Sequence, residues 1–442
     1  MKRFTYRLFR STASLQYRLD RRLTGAGKLA LGALGAAGLM GFDTNRTLAY
    51  QVFTFVLALL VLAFAWRFGF RPRLSARRVL PRFVTAGEPA AYRVVLANGG
   101  GRPERGLVLL EDTADPRPSF EEFVTAREPG EERRNWFDRK VGYPRWDWLV
   151  RRNQLARIDA RPLPPLPPGD AGEVRIEFTA RRRGRLEFTG LTLARPDPFG
   201  LVNALWTLPL PQSLLVLPKR YALPDLALPG TRKYQPGGVA LAQSVGDSEE
   251  FMALRDYRPG DPLRRVHWKS LARLGKPVVR EYQDEFFVRH ALVLDTFGAE
   301  DGSERFEDAV SLAASLVCAL QTGESLLDLL FVGAETYCFT AGRGLGHTDR
   351  MLEVLAGVRV CRDRPFRALH HAVLERHDAL SACVAVLLDW DESRRQFVHQ
   401  LRALGTPVRA FVVVEPGAPA LEAPGEVHRL EAGRLAEGLA RL

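Results

Sequence analysis

Residues 290–295 read HALVLD, a short apolar run that ends in an acidic residue. A run of this kind is typical of a strand that is buried on both faces of a sheet. Helical patterns and further apolar runs alternate after it. Helices are predicted at about 305–322, 348–356, 365–377 and 393–404, and strands at 326–332, 335–340, 382–388 and 408–414. This alternation predicts an α/β domain at residues 290–442 with an open, mostly parallel sheet.

Asp295 ends the first of these strands, at the sheet edge where such domains bind ligands. The layout resembles a von Willebrand factor A domain, whose metal site begins with Asp-x-Ser-x-Ser at this point. Here the run is Asp295-Thr296-Phe297-Gly298-Ala299, without either serine. Mg²⁺ requires a nearly complete shell of oxygen ligands. Asp295 and Thr296 are therefore a weak metal candidate, and we expect no cofactor. A metal-dependent adhesion module at Asp295 is an alternative function that we disfavour.

The segment just upstream, residues 218–289, carries the densest motif. It contains GDSEEF at 246–251, LRDYRPGD at 254–261 and RRVHWK at 264–269, followed by Ala272-Arg273 and Val279-Arg280-Glu281. The block resembles the diagnostic pattern of the DUF58 family. Two upstream stretches, RRRG at 181–184 and DPFGL at 197–201, are similar to other signatures of that family.

The resemblance singles out residues for a structural or partner-binding role. They are Glu250, Phe251, Arg255, Tyr257, Gly260, Asp261, Arg264, His267, Trp268, Lys269, Arg273 and Glu281, with Asp197 and Gly200 upstream. We expect Asp261 to form an ionic network with Arg255, Arg264, Arg265, Lys269 and Arg273 that holds a loop, because arginine–carboxylate pairs have specific geometry. Trp268 would anchor this loop by packing.

A hydrolase is the alternative interpretation of the same segment. His267 would act as a base oriented by Asp261, with Glu281 nearby. The sequence supplies no evident nucleophile or metal triad, so we favour a non-enzymatic scaffold or assembly factor. Resemblance to DUF58 proteins implies a MoxR-type AAA+ ATPase as partner. The sequence itself has no G-x-x-x-x-G-K-[ST] motif and should not hydrolyse ATP.

Residues 79–217 form a β-rich segment. Short alternating runs at 92–96, 106–110, 174–178, 186–188, 191–193 and 214–217 predict strands of a sandwich-like domain. An insertion at about 115–160 mixes aromatic residues with many arginines. This composition suits either a folded lid or a membrane interface, and we favour the lid. The proline-rich stretch at 161–168 is expected to be a stiff linker.

Two apolar runs near the start of the chain predict a transmembrane hairpin, with helices at about 23–42 and 48–66. Residues 32, 35, 38 and 41 are glycines, and this spacing favours close contact between the two helices. A cleaved signal peptide is not expected, because no A-x-A site follows the first run. A basic N-terminal segment, residues 1–22, precedes the hairpin.

The distribution of charge predicts the topology. Residues 1–78 contain 14 Lys and Arg but only 2 Asp and Glu, whereas the remainder contains 49 of each class. The excess charge thus flanks the apolar runs, which argues against a nucleic-acid-binding domain. By the positive-inside rule both ends of the hairpin are cytoplasmic. We therefore expect a multi-pass protein of the bacterial inner membrane with its soluble domains in the cytoplasm.

Overall fold

The computed structural model describes residues 2–40, 47–128, 130–224, 233–234, 251–259, 263, 266–282, 286–298, 302–320, 325–342, 347–419 and 427–441. The chain divides into two compact units, Met1–Lys219 and Arg220–Leu442. Each unit contains both helices and sheets, so the protein is a multidomain chain of mixed α/β type.

The α-helices of unit 1 are α1 (Lys2–Arg22), α2 (Gly25–Met40), α3 (Thr47–Trp66), α4 (Phe120–Thr125), α5 (Trp136–Val141) and α6 (Tyr143–Asn153). Those of unit 2 are α7 (Trp268–Leu274), α8 (Glu304–Leu320), α9 (His347–Gly357), α10 (Arg367–Leu374), α11 (Glu392–Ala403) and α12 (Leu435–Leu439). Short 3₁₀ turns lie at Arg67–Gly69, Glu131–Arg133 and His377–Ala379.

The strands of unit 1 are β1 (Leu74–Val79), β2 (Phe83–Thr85), β3 (Pro89–Asn98), β4 (Val108–Thr113), β5 (Ala156–Arg157), β6 (Arg161–Pro162), β7 (Ala171–Ala180), β8 (Gly184–Pro196) and β9 (Asn203–Leu217). Those of unit 2 are β10 (Lys233–Tyr234), β11 (Phe251–Asp256), β12 (Val278–Tyr282), β13 (Phe286–Leu294), β14 (Ser325–Val332), β15 (Thr336–Gly342), β16 (Ala382–Leu387), β17 (Val408–Val414) and β18 (Val427–Glu431).

Two sheets form the β-rich part of unit 1. One has the order β1-β3-β7-β5 and the other the order β2-β9-β8-β4-β6. Side chains from both sheets meet in one core, which includes Leu96 and Ile176 from the first sheet and Leu193 and Val216 from the second. The alternating burial along β7 explains why its sequence alternates apolar and polar residues.

Two predictions for this region need correction. Residues 186–188 and 191–193 belong to one long strand, β8, which has a bulge between Phe188 and Gly190. The stretch 161–168 is not a free linker, because Leu163 and Leu166 are buried in the core and Glu104 pairs with Leu166. The insertion contains α4, α5 and α6. Their helical pattern was hidden by its many arginines.

Arg78 links the two sheets through the core. It lies on β1, and its guanidinium donates to the Glu111 carboxylate on β4 at 2.6 Å. It also donates to the backbone oxygens of Gly190 and Leu210 at 2.9 and 3.1 Å. Neither side chain of the Arg78–Glu111 pair has any exposed surface. Burial raises the pKa of Glu111, and the hydrogen bonds from Arg78 oppose that shift.

Replacing Arg78 by methionine should destabilise unit 1 by about 3–5 kcal/mol, because the change leaves a buried carboxylate without its partner. The measurement is the denaturant midpoint at which unit 1 of the full chain becomes sensitive to protease. The matched control is Arg93→Met, since Arg93 pairs with Glu173 at 3.4 Å where both side chains are at least half exposed. The control should cost about 0–1 kcal/mol. Equal effects of the two substitutions would contradict this assignment.

The N-terminal helices partly match the predicted hairpin. One helical segment, Leu48–Gly69, is long and apolar enough to cross a membrane, whereas the apolar helix at Gly25–Leu39 is shorter. A side-chain carbon at Gly38 would lie 3.3 Å from the ring of Phe53, so this glycine does allow close contact with α3. The predicted role is wrong for Gly32 and Gly35, because a side-chain carbon at either position would meet no atom within 4 Å. Gly41 lies outside the described residues.

Unit 2 contains the predicted α/β sheet, in the order β15-β14-β13-β16-β17-β18. Strands β14, β13, β16, β17 and β18 run parallel to one another. The edge strand, β15, is antiparallel to β14. The predicted strands and helices of this region are confirmed to within a few residues, including the cap on α11 by Asp391. Strand β18 and α12 were not predicted, because both are short and β18 carries polar residues.

Candidate functional site

The motif segment of unit 2 forms a small unit that we call the hairpin–helix motif, made of β11, α7 and β12. Strands β11 and β12 pair antiparallel, and α7 connects them. The backbone amide of His267 donates to Val278 at 2.8 Å, and that of Tyr257 donates to Pro277 at 3.0 Å. Buried Val266, Val278 and Val279 lie beneath these bonds. The motif therefore has apolar residues of its own that hold α7 beside β12.

Large apolar side chains project from this motif into solvent. Leu263, Trp268 and Leu274 are 67%, 63% and 57% exposed. Lys269 and Arg273 are also exposed, and they are four residues apart on α7, so they share one side of the helix. Trp268, which was expected to anchor the loop by packing, is thus largely exposed. An exposed tryptophan beside basic residues has the composition of a protein-docking surface.

Several predicted site residues cannot be placed. Glu250, Gly260, Asp261 and Arg264 lie outside the described residues, as do Arg265 and the side chains of Phe251 and Glu281. The ionic network around Asp261 and the Asp261–His267–Glu281 constellation therefore stay predictions. Among the other members, Arg255 donates to the backbone of Asp256 at 3.3 Å.

His267 has a local partner that the sequence did not suggest. Its Nδ1 lies 2.7 Å from the hydroxyl oxygen of Ser270, three residues further along the chain. The backbone amide of Ser270 donates in turn to the carbonyl of His267 at 2.9 Å. Both contacts stabilise the start of α7. This arrangement gives the imidazole a structural role in beginning the helix.

Asp197 and Gly200 form a turn in unit 1 at the end of β8. The buried carboxylate of Asp197 accepts hydrogen bonds from the amides of Phe199, at 2.6 Å, and of Leu201, at 3.0 Å. Gly200 has a φ of +69°, a conformation that favours glycine. This pattern satisfies the backbone within the turn, so these two residues are structural.

The same turn contacts the N-terminal helices. Thr24, between α1 and α2, donates its hydroxyl to the carbonyls of Gly200 and Leu201. Its backbone amide donates to Leu201 at 3.1 Å, and its hydroxyl accepts from the amide of Gly27 at 3.0 Å. A side-chain carbon at Gly27 would lie 2.0 Å from the Leu201 oxygen, so only glycine fits there. We call this set of contacts the Thr24 junction.

Asp295 lies in unit 2 where β13 and β16 are neighbours and the strand order reverses. Its side chain is fully buried. The carboxylate accepts from the backbone amides of Phe297 at 2.9 Å and of Leu388 at 3.1 Å. Thr296 instead donates to the carbonyl of Val332 at 2.6 Å. The two candidate metal ligands are thus both engaged by the protein.

Arg394, on the first turn of α11, supplies the positive charge that faces Asp295. Its Nε and Nη2 atoms lie 3.1 and 3.0 Å from the Asp295 carboxylate, and its Nη1 donates to Asp391 at 2.7 Å. Burial disfavours the charged guanidinium, but the two carboxylates outweigh burial and raise the pKa of Arg394. Burial raises the pKa of Asp295, and Arg394 opposes that shift.

This donor set does not fit a divalent cation. The oxygens of Asp295 already accept from two amides and a guanidinium, so they offer no shared open position to a metal ion. Within the described residues, no group of three or more His, Cys, Asp or Glu side chains could hold one. Arg394 was missed from the sequence because it lies 99 residues beyond Asp295.

Comparisons with known proteins address the same part of the chain. A family model described as "Protein of unknown function DUF58" matches residues 253–429. This part of the chain is therefore similar to the DUF58 family. The matched range begins in β11 and ends in β18, so the hairpin–helix motif and the α/β sheet form one DUF58 region. The Asp197 turn and residues 181–184 lie outside that range.

A curated relative is the uncharacterized protein YeaD of Bacillus subtilis, which is 25% identical over 178 residues. The alignment covers 39% of this chain and 42% of YeaD, so the chain spans less than half of that relative. Two solved domains match more weakly. They are the CARDB domain of Pyrococcus furiosus PF1109 (11% identical, covering 33% of this chain and 94% of that one, TM-score 0.16) and PapD-like domain 7 of human CEP192 (14%, 33% and 86%, TM-score 0.19). These TM-scores support no structural or functional conclusion.

Replacing Arg394 by methionine should destabilise unit 2 by about 3–5 kcal/mol, because the buried Asp295 carboxylate loses its charged partner. Thermal unfolding of the full chain in detergent measures this, with and without Mg²⁺. The matched control is Arg395→Met, which removes an exposed pair with Glu392 at 3.0 Å and should cost about 0–1 kcal/mol. We expect no change in the midpoint on adding Mg²⁺ or a chelator. If Mg²⁺ raises the unfolding midpoint of the wild-type protein, Arg394 is not the group that neutralises Asp295.

Proposed function

We propose that this protein is a membrane-anchored, non-enzymatic scaffold or assembly factor that acts with a MoxR-type AAA+ ATPase. The observation that carries the proposal is the exposed surface of the hairpin–helix motif. Trp268 and Leu274 stand in solvent beside Lys269 and Arg273. Aromatic residues of this kind dominate the binding energy of many protein interfaces. In this scheme the ATPase supplies the energy, and the present chain supplies the anchor and the docking surface.

The α/β part of unit 2 is, in this proposal, a domain of the von Willebrand factor A type. A mostly parallel sheet with an antiparallel edge strand, and an aspartate at the end of the first central strand, favour that interpretation. The pairing of Asp295 with Arg394 favours a version of the domain that works without a metal ion. Binding of a partner, and not of an ion, would then be its task.

A non-enzymatic role is supported by how the polar groups are used. His267 contacts Ser270 within its own helix turn, and Asp295 is enclosed by amides and a guanidinium. The hydroxyl that His267 faces lies only three residues away, in the first turn of α7, and we assign this pair to the start of the helix. The proposal therefore favours docking over hydrolysis.

The anchor in this proposal is the pair α2 and α3, with both ends on the cytoplasmic side of the inner membrane. Support comes from the apolar length of Leu48–Gly69 and from the arginines that follow it. Residues 79–442 contain equal numbers of acidic and basic residues. This balance suits cytoplasmic domains that do not bind nucleic acid.

Trp268→Ala should weaken binding of the full chain to a purified MoxR-type ATPase from the same organism. A central tryptophan contributes about 2 kcal/mol or more, which corresponds to about 30-fold in Kd. Binding is measured by surface plasmon resonance with the protein in nanodiscs. Trp136→Ala is the matched control, because Trp136 is equally exposed, at 63%, but lies in unit 1. Equal affinity of the two variants would show that the motif is not the docking surface.

The topology gives a second prediction. A tag at the carboxyl end should be protected from protease in intact spheroplasts and should be cleaved after lysis, because both flanks of the apolar helices are basic. The protein should also stay in the membrane after extraction with alkaline carbonate. Release by carbonate, or cleavage of the tag in intact cells, would contradict the proposed anchoring.

A further inference from the structure

Helix α1 has two different apolar faces. One face contacts the insertion: Tyr6 is buried, and its ring lies 5.4 Å from that of Phe120 and 5.7 Å from that of Trp146. Phe9 lies 5.9 Å from Trp146 on the same side. These contacts hold α1 in a fixed rotation about its own axis. The insertion is therefore a folded cap on α1, in agreement with the lid interpretation.

The opposite face carries a second row of apolar residues, which we call the outer ridge: Phe4, Leu8, Leu15 and Leu19. A helix turns by about 100° per residue, so this spacing places all four within one narrow stripe. Their exposed fractions are 70%, 47%, 58% and 37%. Because the other face is held by the insertion, the outer ridge is directed away from the insertion, and Leu15 and Leu19 line a groove beside Leu31 of α2.

Positive charge accompanies the ridge. Helix α1 contains seven Lys and Arg and one Asp, and Asp20 is paired with Lys28 at 2.6 Å. Arg7 and Arg18 are exposed and stand next to the ridge by their helical angle. Apolar residues beside arginines on one helix face match the chemistry of an anionic phospholipid leaflet, in which acyl chains lie below phosphates.

The position of α1 in the chain supports the same occupant. Only Leu23 and Thr24 separate α1 from α2. The Thr24 junction fixes this connection, and Arg21 at the end of α1 forms an ion pair with Asp112 and donates to the backbone of Glu111 at 3.2 Å. Helix α1 therefore ends directly beside the apolar helices. A membrane that contains α2 and α3 would lie within reach of the outer ridge.

We propose that α1 is an interfacial helix that binds anionic phospholipid through the outer ridge and through Arg7 and Arg18. This inference rests on the proposed membrane anchoring of α2 and α3. Because α1 is attached to the insertion and to the Thr24 junction, its binding sets the orientation of the β-rich part of unit 1 against the leaflet. The lipid contact thus positions the domain as well as adding affinity.

The test uses the full chain in nanodiscs with an environment-sensitive fluorescent amino acid incorporated genetically at single sites. Ser11 reports on the ridge, since it is exposed on the same face of α1. Phe55, 68% exposed on α3, reports on the membrane anchor, and Thr179 on β7 is the aqueous reference. Quenching by lipids brominated near the headgroup is compared with quenching by aqueous iodide, in bilayers with and without phosphatidylglycerol.

We expect bromolipid to quench the Ser11 probe in phosphatidylglycerol bilayers, with at least a several-fold loss of quenching in bilayers of phosphatidylcholine alone. Arg7→Gln with Arg18→Gln should cause a similar loss, and added salt should weaken the effect because exposed charges are screened. The matched control is Arg175→Gln with Arg185→Gln, which removes the same charge from exposed positions on β7 and β8. This control should leave the quenching unchanged.

The outcomes separate this inference from the proposed function. If the Phe55 probe is quenched by lipid while Ser11 is as accessible to iodide as Thr179, the ridge lies in water and the inference fails while the anchor stands. If Ser11 is shielded from iodide but not quenched by lipid, a protein covers the ridge and the lipid assignment fails. If lipid quenches neither Ser11 nor Phe55, the anchoring and the inference fail together.

Discussion

The buried carboxylate of Asp197 holds the turn on which the arrangement of unit 1 depends. It binds the amides within the turn and so leaves the carbonyls of Gly200 and Leu201 to accept from Thr24. The same close approach excludes a side chain at Gly27. A few short polar contacts thus decide where α1 ends, where α2 begins and how both meet the β-rich part of the unit. The DPFGL stretch thus joins two parts of the fold.

The sequence predicted the parts of the fold whose pattern is local. Strand β16, for example, is a continuous apolar run because both faces of the sheet are covered. Helix α1 escaped prediction because its arginines mask the apolar period, and its partners lie in the insertion. The exposure of Trp268 could not be predicted either. An apolar residue in a motif is expected to be buried, and only the three-dimensional neighbours show that this one is not.

The candidate site was predicted in composition but not in arrangement. Asp295 was correctly placed at the end of a central strand, yet the group that neutralises it, Arg394, comes from a helix far along the chain. A covalently attached cation is always present at high local concentration and cannot be removed by dilution. The guanidinium also forms directed bonds to Asp391, and lies 4.4 Å from the centre of the Phe366 ring. The strand end is therefore occupied by protein groups that fix one conformation.

The contact between α1 and the insertion has a consequence for how the protein is made. Tyr6 donates its hydroxyl hydrogen to the carbonyl of Pro118, which is 112 residues later in the chain. At about 5–20 residues per second, a ribosome needs roughly 6–20 s to synthesise that interval. During this time α1 and both apolar helices have emerged, but the aromatic partners of Tyr6 have not. Helix α1 thus waits for its final neighbours until α2, α3 and the first strands of unit 1 have been synthesised.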